Sequence, residues 1–183
     1  MIIEKEKLRI RTAKPKDAKK LCDWWNDGKV MAHAGFPNGL GIKESRVLEL
    51  IEENNEFMQR MIIELDNSPI GEMSYRTKGE NIAEIGIKIC DATRQNKGLG
   101  KEYIGMLISY LFLKMNYKKI IINTNLKNER AQHVYEKLGF RKIRTNINSW
   151  KDQLGELQSS VDYEIARKEY HERYSKSDIE FQD

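Results

Sequence analysis

The sequence predicts a single α/β (α+β) domain built around a mixed, mostly antiparallel sheet. Its 183 residues suit one domain with a substantial core, so we assign residues 1–183 to one unit. The apolar residues switch between the two-residue spacing of strands and the longer spacing of helices. Three strand patterns follow one another across short turns, which indicates antiparallel pairing before the first long helix.

The first part of the chain alternates as a strand and then takes helical spacing. Pro15 suits the first turn of a helix, because the N–H that it lacks would have no helical partner there. Asp–Gly and Asn–Gly pairs then interrupt the helical pattern, which indicates a turn-rich loop. The predicted elements are a strand at 8–12, a helix opening at 15–18, a loop at 26–41 and a helix at about 43–54.

The rest of the chain changes period several times. The predicted elements are strands at 61–65, 70–77 and 82–89, a glycine-rich loop at 94–101, a helix from 99 to about 116, a strand at 118–123, a helix at 128–138, and strands at 140–147 and 159–167. The sheet would thus have about seven strands flanked by about four helices. We expect the charged C-terminal tail, residues 168–183, to be exposed.

Composition excludes several functional classes. The net charge of +4 is too small to indicate nucleic-acid binding. No apolar run approaches ~18 residues and the chain turns charged at its start, so we expect no membrane span and no signal peptide. Cys22 and Cys90 are too few for a disulfide framework, which is consistent with the cytoplasm. Three histidines without ligand spacing predict no metal site.

The loop at 94–101 carries the strongest chemical signal. Two glycines beside two lysines, between a strand and a helix, provide exposed N–H groups and positive charge for a phosphate. A nucleoside-triphosphate loop is excluded because Glu102 stands where a magnesium-binding hydroxyl is needed. A dinucleotide loop is excluded because Tyr103 stands where a third glycine is needed. The predicted phosphate-binding residues are Gln95, Asn96, Lys97, Gly98, Leu99, Gly100 and Lys101.

The pattern that remains, Gln-x-x-Gly-x-Gly, resembles the acyl-coenzyme A pyrophosphate loop of the GNAT N-acetyltransferase superfamily. Residues 128–140 resemble the superfamily's Asn-x-x-Ala-x-x-x-Tyr-x-x-x-Gly-Phe helix, and the order of elements is similar over nearly the whole chain. The resemblance implies a GNAT-type sheet in one N-acetyltransferase domain, acetyl-CoA as cofactor and no metal. Paired tryptophans and long final strands resemble the branch that contains ribosomal-protein N-terminal acetyltransferases and several small-amine resistance and polyamine enzymes.

The second motif places three side chains on one helix face. Asn128, Ala131 and Tyr135 are spaced at i, i+3 and i+7, so they can face one ligand. The resemblance implies that Tyr135 protonates or hydrogen-bonds the departing coenzyme A sulfur; an ordinary core tyrosine is the alternative. Asn128 is either only a helix cap or also a contact for the pantetheine chain.

The strand before the loop carries the candidate base. Its alternation places Glu84, Gly86 and Lys88 on one face. The resemblance implies that Glu84 takes the proton from the attacking amine; a salt bridge is the alternative. It also implies that the backbone of Ile87, Lys88 and Ile89 pairs with the pantetheine amides.

The pKa of the acceptor amine determines how much the enzyme must contribute to its deprotonation. An α-amine with a pKa near 8 is neutral roughly a fifth of the time at about pH 7.4, and a lysine-type amine about one time in a thousand. Deprotonation therefore costs under about 1 kcal/mol for the first and about 4 kcal/mol for the second. A covalent route through Cys90 is less favoured than a small buried core thiol at that position.

We therefore expect direct attack in a ternary complex, with a protein or peptide N-terminal amine as the preferred acceptor. A small amine, such as a polyamine or an aminoglycoside, is the first alternative, and a non-catalytic coenzyme A-binding module is the second. We expect no nucleic-acid or membrane partner, and a homodimer is one option. Candidates for an acidic acceptor pocket are Glu44, Glu72 and Asp152. Candidate residues for the acceptor side are Trp24, Trp25, His33, Phe36, Tyr75 and Trp150.

Overall fold

The computed structural model describes residues 1–174 and 179–182, which form one nine-stranded sheet with helices on both faces. The strand order is β7-β8-β6-β5-β4-β3-β2-β1-β9. The strands are β1 (Ile2–Lys5), β2 (Leu8–Thr12), β3 (Met58–Leu65), β4 (Ser68–Thr77), β5 (Ile82–Ile89), β6 (Lys119–Asn125), β7 (Arg141–Lys151), β8 (Leu157–Ala166) and β9 (Glu180–Gln182). The helices are α1 (Ala18–Asn26), α2 (Gly28–Met31), α3 (Glu44–Glu52), α4 (Leu99–Leu113), α5 (Glu129–Lys137) and α6 (Arg167–Tyr174).

The mixed, mostly antiparallel sheet confirms the predicted fold class, with two more strands than expected. β1 and β9 pair with each other at one edge of the sheet. Both are short, and in β1 only Ile3 is fully buried, so neither shows a clear alternating pattern. The unpredicted α2 lies within the turn-rich loop.

The sheet divides between β5 and β6. These strands run parallel and pair at three positions, the last being Glu84 with Ile121. Beyond that point β6 continues to pair with β8 as far as Asn125, while β5 continues beside β4 as far as Ile89. The C-terminal halves of β5 and β6 therefore diverge and leave a wedge-shaped gap.

Each face of the sheet carries a hydrophobic core. In β3, Met61 and Ile63 belong to the core on the α4 face, and Ile62 belongs to the core under α1 and α3. A sheet that is buried on both faces carries continuous apolar runs, which explains the pattern of β3. None of the helices in the described part of the chain is long and apolar enough to span a bilayer.

The expectation of an exposed C-terminal tail is wrong for Tyr170 and Phe181. Tyr170 is 3% exposed and packs on Phe112, with its hydroxyl hydrogen-bonded to Ser109. Phe181 packs on Tyr110 with ring centroids 5.6 Å apart. Tyr170 belongs to the core, and Phe181 packs against it. The sequence predicts exposure only because charged residues dominate the composition of this tail. Of this tail, residues 175–178 and 183 lie outside the described part of the chain.

Candidate functional site

The gap between β5 and β6 opens into a cleft of about 1110 Å³. We call the part formed by residues 94–101, the end of β6 and α5 the loop end. We call the part formed by β3, β4, the adjoining face of β5 and helices α1–α3 the sheet end. β5 borders both ends, so a ligand lying along it would reach from one to the other.

The loop end presents the N-terminus of α4. Asn96 and Gly98 both adopt left-handed backbone conformations, with φ of 61° and 76°, and Gly98 is the N-cap of the helix. A Cβ at Gly98 or Gly100 would meet no atom within 4 Å, so both glycines face open space. The first amides of a helix have no carbonyl partner within it and carry partial positive charge, so this loop can bind a phosphate.

Side chains fasten the loop to the rest of the site. Gln95 Nε2 donates to the Ile89 carbonyl at 2.9 Å, which ties the loop to the end of β5. Arg130 of α5 donates to the Asn96 side chain. Of the seven predicted loop residues, all but Lys97 line the cleft. Sequence reasoning missed Arg130, although its place two residues after the motif's asparagine could have marked it.

The hydrogen bonds of β5 alternate between its two sides. The Cys90 N–H donates to Ile70 of β4, whereas the Ile89 carbonyl accepts from Gln95 on the gap side. By the same alternation, the backbone groups of Ile87 and Ile89 face the gap and those of Lys88 face β4. Two of the three predicted residues therefore have backbone groups directed at the gap, and Lys88 lines the cleft through its side chain.

Asn128, Ala131 and Tyr135 all line the cleft, as their shared helix face predicts. Asn128 acts as the N-cap of α5, because its Oδ1 accepts from the Ala131 N–H at 3.2 Å. Its side-chain NH₂ group remains a donor that a ligand can use.

Tyr135 is both a core residue and part of the cleft wall. It is 5% exposed and packs against Tyr163 and Phe140, at ring centroid distances of 5.6 and 6.0 Å. Burial raises the pKa of Tyr135, and its hydrogen bond with the Thr124 side chain acts in the opposite direction without cancelling that effect. The phenol therefore keeps its proton at neutral pH.

Glu84 lines the cleft and also forms a salt bridge. Arg76 Nε donates to its Oε2, and Lys78 Nζ lies 3.6 Å from the same oxygen. The Glu84 side chain is 18% exposed. Within the described part of the chain no hydrogen bond reaches Oε1, so that oxygen can accept a proton or a water hydrogen bond.

The three acidic candidates do not form an acidic pocket. Glu72 lines the cleft, but Lys88 Nζ donates to it at 2.9 Å. Burial lowers the pKa of Lys88, yet the Glu72 carboxylate outweighs this effect and raises it, so the ammonium stays charged. Asp152 instead caps the β7–β8 turn, and neither it nor Glu44 lines the cleft. The charged residues that line the cleft are Arg60, Glu72, Arg76, Glu84, Lys88, Arg94, Lys101 and Arg130.

The aromatic candidates divide into two groups. Trp25, His33, Tyr75 and Trp150 line the cleft. Trp24 and Phe36 do not line it.

Cys90 also lies outside the cleft lining. It is 7% exposed, and burial raises the pKa of its thiol. A protonated, buried thiol is a poor nucleophile, so this geometry favours the core-thiol interpretation.

A bridge that the sequence does not predict joins the β7–β8 turn to the turn-rich loop, whose residues His33, Ala34 and Leu40 line the cleft. Gln153, in the β7–β8 turn, binds the turn-rich loop: its N–H donates to the Gly35 carbonyl at 2.8 Å. Its side chain accepts from the Asn38 N–H and donates to the Gly39 carbonyl, both at 2.9 Å. The Trp150 ring occupies the space that a side chain at Gly35 would need.

A family model described as an acetyltransferase (GNAT) domain matches residues 7–141. The chain belongs to the GNAT acetyltransferase family. This GNAT protein is accordingly an acetyl-CoA-dependent N-acetyltransferase, as the two motifs imply.

Curated relatives of this GNAT protein carry the same class of activity in their names. The N-acetyltransferase 9-like protein of Nematostella vectensis is 33% identical over 63 residues, which span 34% of this chain and only 32% of that relative. The uncharacterized N-acetyltransferase p20 of Bacillus licheniformis is 22% identical over 172 residues, covering 90% of this chain and 96% of the relative.

Solved structures share the fold over most of the chain. A GNAT-family acetyltransferase from Bacillus anthracis is 24% identical with a TM-score of 0.78, and the match covers 92% of this chain and 99% of that one. A Vibrio cholerae spermidine N-acetyltransferase in complex with CoA and spermine is 21% identical with a TM-score of 0.80, over 91% and 99% of the chains. RimL, a ribosomal α-N-protein acetyltransferase in complex with coenzyme A, is 15% identical with a TM-score of 0.80, over 91% and 98%. These likenesses show the fold and leave the acceptor open.

Proposed function

We propose that the enzyme transfers the acetyl group of acetyl-CoA to the α-amine of a protein or peptide, by direct attack in a ternary complex. The observation that carries this proposal is the charge at the sheet end. Among the described residues, the two carboxylates that line this end, Glu72 and Glu84, are paired with cations, and Arg60 adds further positive charge. A polyamine needs unpaired carboxylates around it, so this end disfavours a polycation.

The loop end provides groups that can bind the pyrophosphate and the pantetheine chain of acetyl-CoA. The amides at the start of α4, with Lys101, Arg94 and Arg130 around them, suit the negatively charged pyrophosphate. The backbone groups of Ile87 and Ile89 suit the amides of the pantetheine chain, which would extend β5 as an added strand. If β6 continued to pair with β5, it would occupy these same backbone groups. The divergence of the two strands therefore leaves them available to the pantetheine chain.

The reaction needs one proton removed and one supplied. Acetyl-CoA, when bound, supplies a thioester carbonyl carbon that the amine nitrogen attacks while the C–S bond breaks. Glu84 accepts the proton from the amine through Oε1, directly or through a water molecule. Tyr135 would donate a hydrogen bond and then the proton of its hydroxyl to the sulfur, so that coenzyme A would leave as the thiol, and solvent would restore the proton of Tyr135.

The pairing of Glu84 with two cations also favours an α-amine. Arg76 and Lys78 both lie against Oε2 of Glu84, which leaves Oε1 alone to take the proton of the amine. An α-amine needs under about 1 kcal/mol for deprotonation near neutral pH, whereas a lysine-type amine needs about 4 kcal/mol. A site with a single carboxylate oxygen available for proton transfer therefore matches the first acceptor better than the second.

Steady-state kinetics with three kinds of acceptor tests this proposal. The acceptors are peptides with a free α-amine and no lysine, the same peptides blocked at the N-terminus and carrying one lysine, and spermidine. We expect kcat/KM for the free α-amine to exceed the other two by at least about tenfold. A higher kcat/KM for spermidine or for the blocked lysine peptide would overturn the proposal.

A further inference from the structure

Three rows of side chains cross the sheet end on the face shared by β3, β4 and β5. The strand registers place Glu72 beside Lys88 in the first row and Arg76 beside Glu84 in the third. Between them, Arg60 lies opposite Ser74, and Ser74 lies opposite Gly86. We call Arg60, Ser74 and Gly86 the middle row.

The outer rows are neutralised and the middle row is not. Lys88 binds Glu72 at 2.9 Å, and Arg76 binds Glu84. Within the described part of the chain no carboxylate forms an ion pair with Arg60, and the hydrogen bond of its guanidinium goes to the Met58 sulfur, at 3.9 Å. The middle row therefore holds one partly buried positive charge in the wall of the cleft.

The backbone of Arg60 is held firmly. Its N–H donates to Asn54 Oδ1 at 2.7 Å, and its carbonyl accepts from the Ala13 N–H at 2.9 Å. Ser74 is exposed to the cleft, and Gly86 contributes no side chain beyond it. The row thus forms a hollow with a cation on a firmly held backbone at one end and the open edge of β5 at the other.

We propose that Arg60 determines acceptor specificity by binding a carboxylate of the acceptor. This inference rests on the proposed function and adds that the preferred α-amine belongs to a molecule with a carboxylate on the same or the next residue. Neighbouring strands lie ~4.8 Å apart and a residue of extended chain spans ~3.4 Å, so one or two residues bridge the hollow. Arginine binds carboxylates through two parallel hydrogen bonds, which gives both affinity and orientation.

Two sources supply this chemistry: an acidic side chain near a peptide N-terminus, or the α-carboxylate of a free amino acid. The test compares peptides that begin with Asp, Asn or Lys, each amidated at the C-terminus, with free aspartate and free asparagine. Acetylation of the Asp peptide alone assigns the peptide source, and acetylation of both free amino acids assigns the α-carboxylate.

Four enzymes are compared: wild type, Arg60→Met, Arg60→Lys and Arg60→Glu. With wild type, we expect kcat/KM for the acidic acceptor to exceed that of its neutral partner about 10- to 100-fold. Arg60→Met should remove this preference while the neutral peptide changes less than about twofold, and Arg60→Lys should restore part of it. Arg60→Glu should reverse the order of the Asp and Lys peptides.

Two controls separate recognition from folding. Arg46→Met removes an arginine of an exposed ion pair on α3, outside the cleft, and should leave every ratio unchanged. Coenzyme A affinity should be the same in all Arg60 variants, because the loop end does not include this residue. Acetylation of acidic and neutral peptides at equal rates by wild type, with no faster acetylation of the free amino acids, would overturn this inference and leave the proposed function standing. Preferential acetylation of spermidine would overturn both.

Discussion

The anion site at the loop end of the cleft is formed by backbone groups from one contiguous stretch of chain, whereas the sheet end presents side chains from three successive strands that pair side by side. Residues 94–101 and the start of α4 form an anion site almost by themselves. The middle row exists only because β3, β4 and β5 pair in one register. The loop end can therefore be disrupted by changing one backbone conformation. The sheet end is changed by altering single charges.

The largest expected effect is on the loop end. Gly98→Val should weaken coenzyme A binding more than about 100-fold, because a β-branched residue at φ 76° is strained and its side chain would enter the phosphate site. Calorimetric titration with coenzyme A measures this. Gly79→Val is the matched control: it has φ of 62°, equally open surroundings and a place outside the cleft, so it should lower stability without changing affinity. If Gly98→Val bound coenzyme A as tightly as wild type, the assignment of this loop to the coenzyme A site would be wrong.

Removing the phenol of Tyr135 tests whether the loop end also takes part in the chemistry. Tyr135→Phe should lower kcat about 100-fold with nearly unchanged coenzyme A affinity, since the ring still packs and only the proton donor is lost. Tyr163→Phe removes a neighbouring buried hydroxyl, which bonds Glu136, and should leave kcat within about twofold of wild type. An unchanged kcat in Tyr135→Phe would mean that Tyr135 contributes only to the packing of the core.

The pH profile of Glu84→Gln tests the base. We expect kcat/KM for an α-amine peptide to fall about tenfold near pH 7 and to recover near pH 9, where most of the α-amine is already neutral. Glu80→Gln, in the β4–β5 turn outside the cleft, should follow the wild-type profile. A deficit of constant size across the pH range would mean that Glu84 only positions Arg76 and Lys78.

The smallest effect should come from the bridge beside the sheet end. Gln153→Ala removes two hydrogen bonds to the turn-rich loop, so we expect the KM for the peptide to rise about fivefold with coenzyme A affinity unchanged. Gln182→Ala removes a hydrogen bond from β9, which lies at the far edge of the sheet, and serves as the control. Equal changes in peptide KM and coenzyme A affinity would contradict the separation of the two ends.

The same contrast explains what could be predicted from the sequence. The loop and α5 motifs are local, so their residues and spacing carry most of the loop end. The backbone groups of successive strand residues point to opposite sides, so only every second residue can face the gap. Ile87 and Ile89 therefore face it and Lys88 does not, although backbone pairing with the ligand is predicted for all three.

The sheet end could not be predicted because it depends on register and on distant contacts. Arg60 acquires its role only when it lies opposite Ser74, which in turn lies opposite Gly86. Gln153 and Gly39, which are joined by a hydrogen bond, lie 114 residues apart in sequence.

The burial of Tyr170, outside the cleft, could not be predicted because its neighbours in sequence are mostly charged.

One measurement tests the central claim most directly: where the acetyl group goes on a peptide that offers both kinds of amine. A short peptide with a free N-terminus, an acidic second residue and one lysine is incubated with the enzyme and acetyl-CoA near neutral pH, and the product is fragmented by mass spectrometry. We predict that the acetyl group lies on the α-amine. An acetyl group on the lysine Nζ would contradict the account.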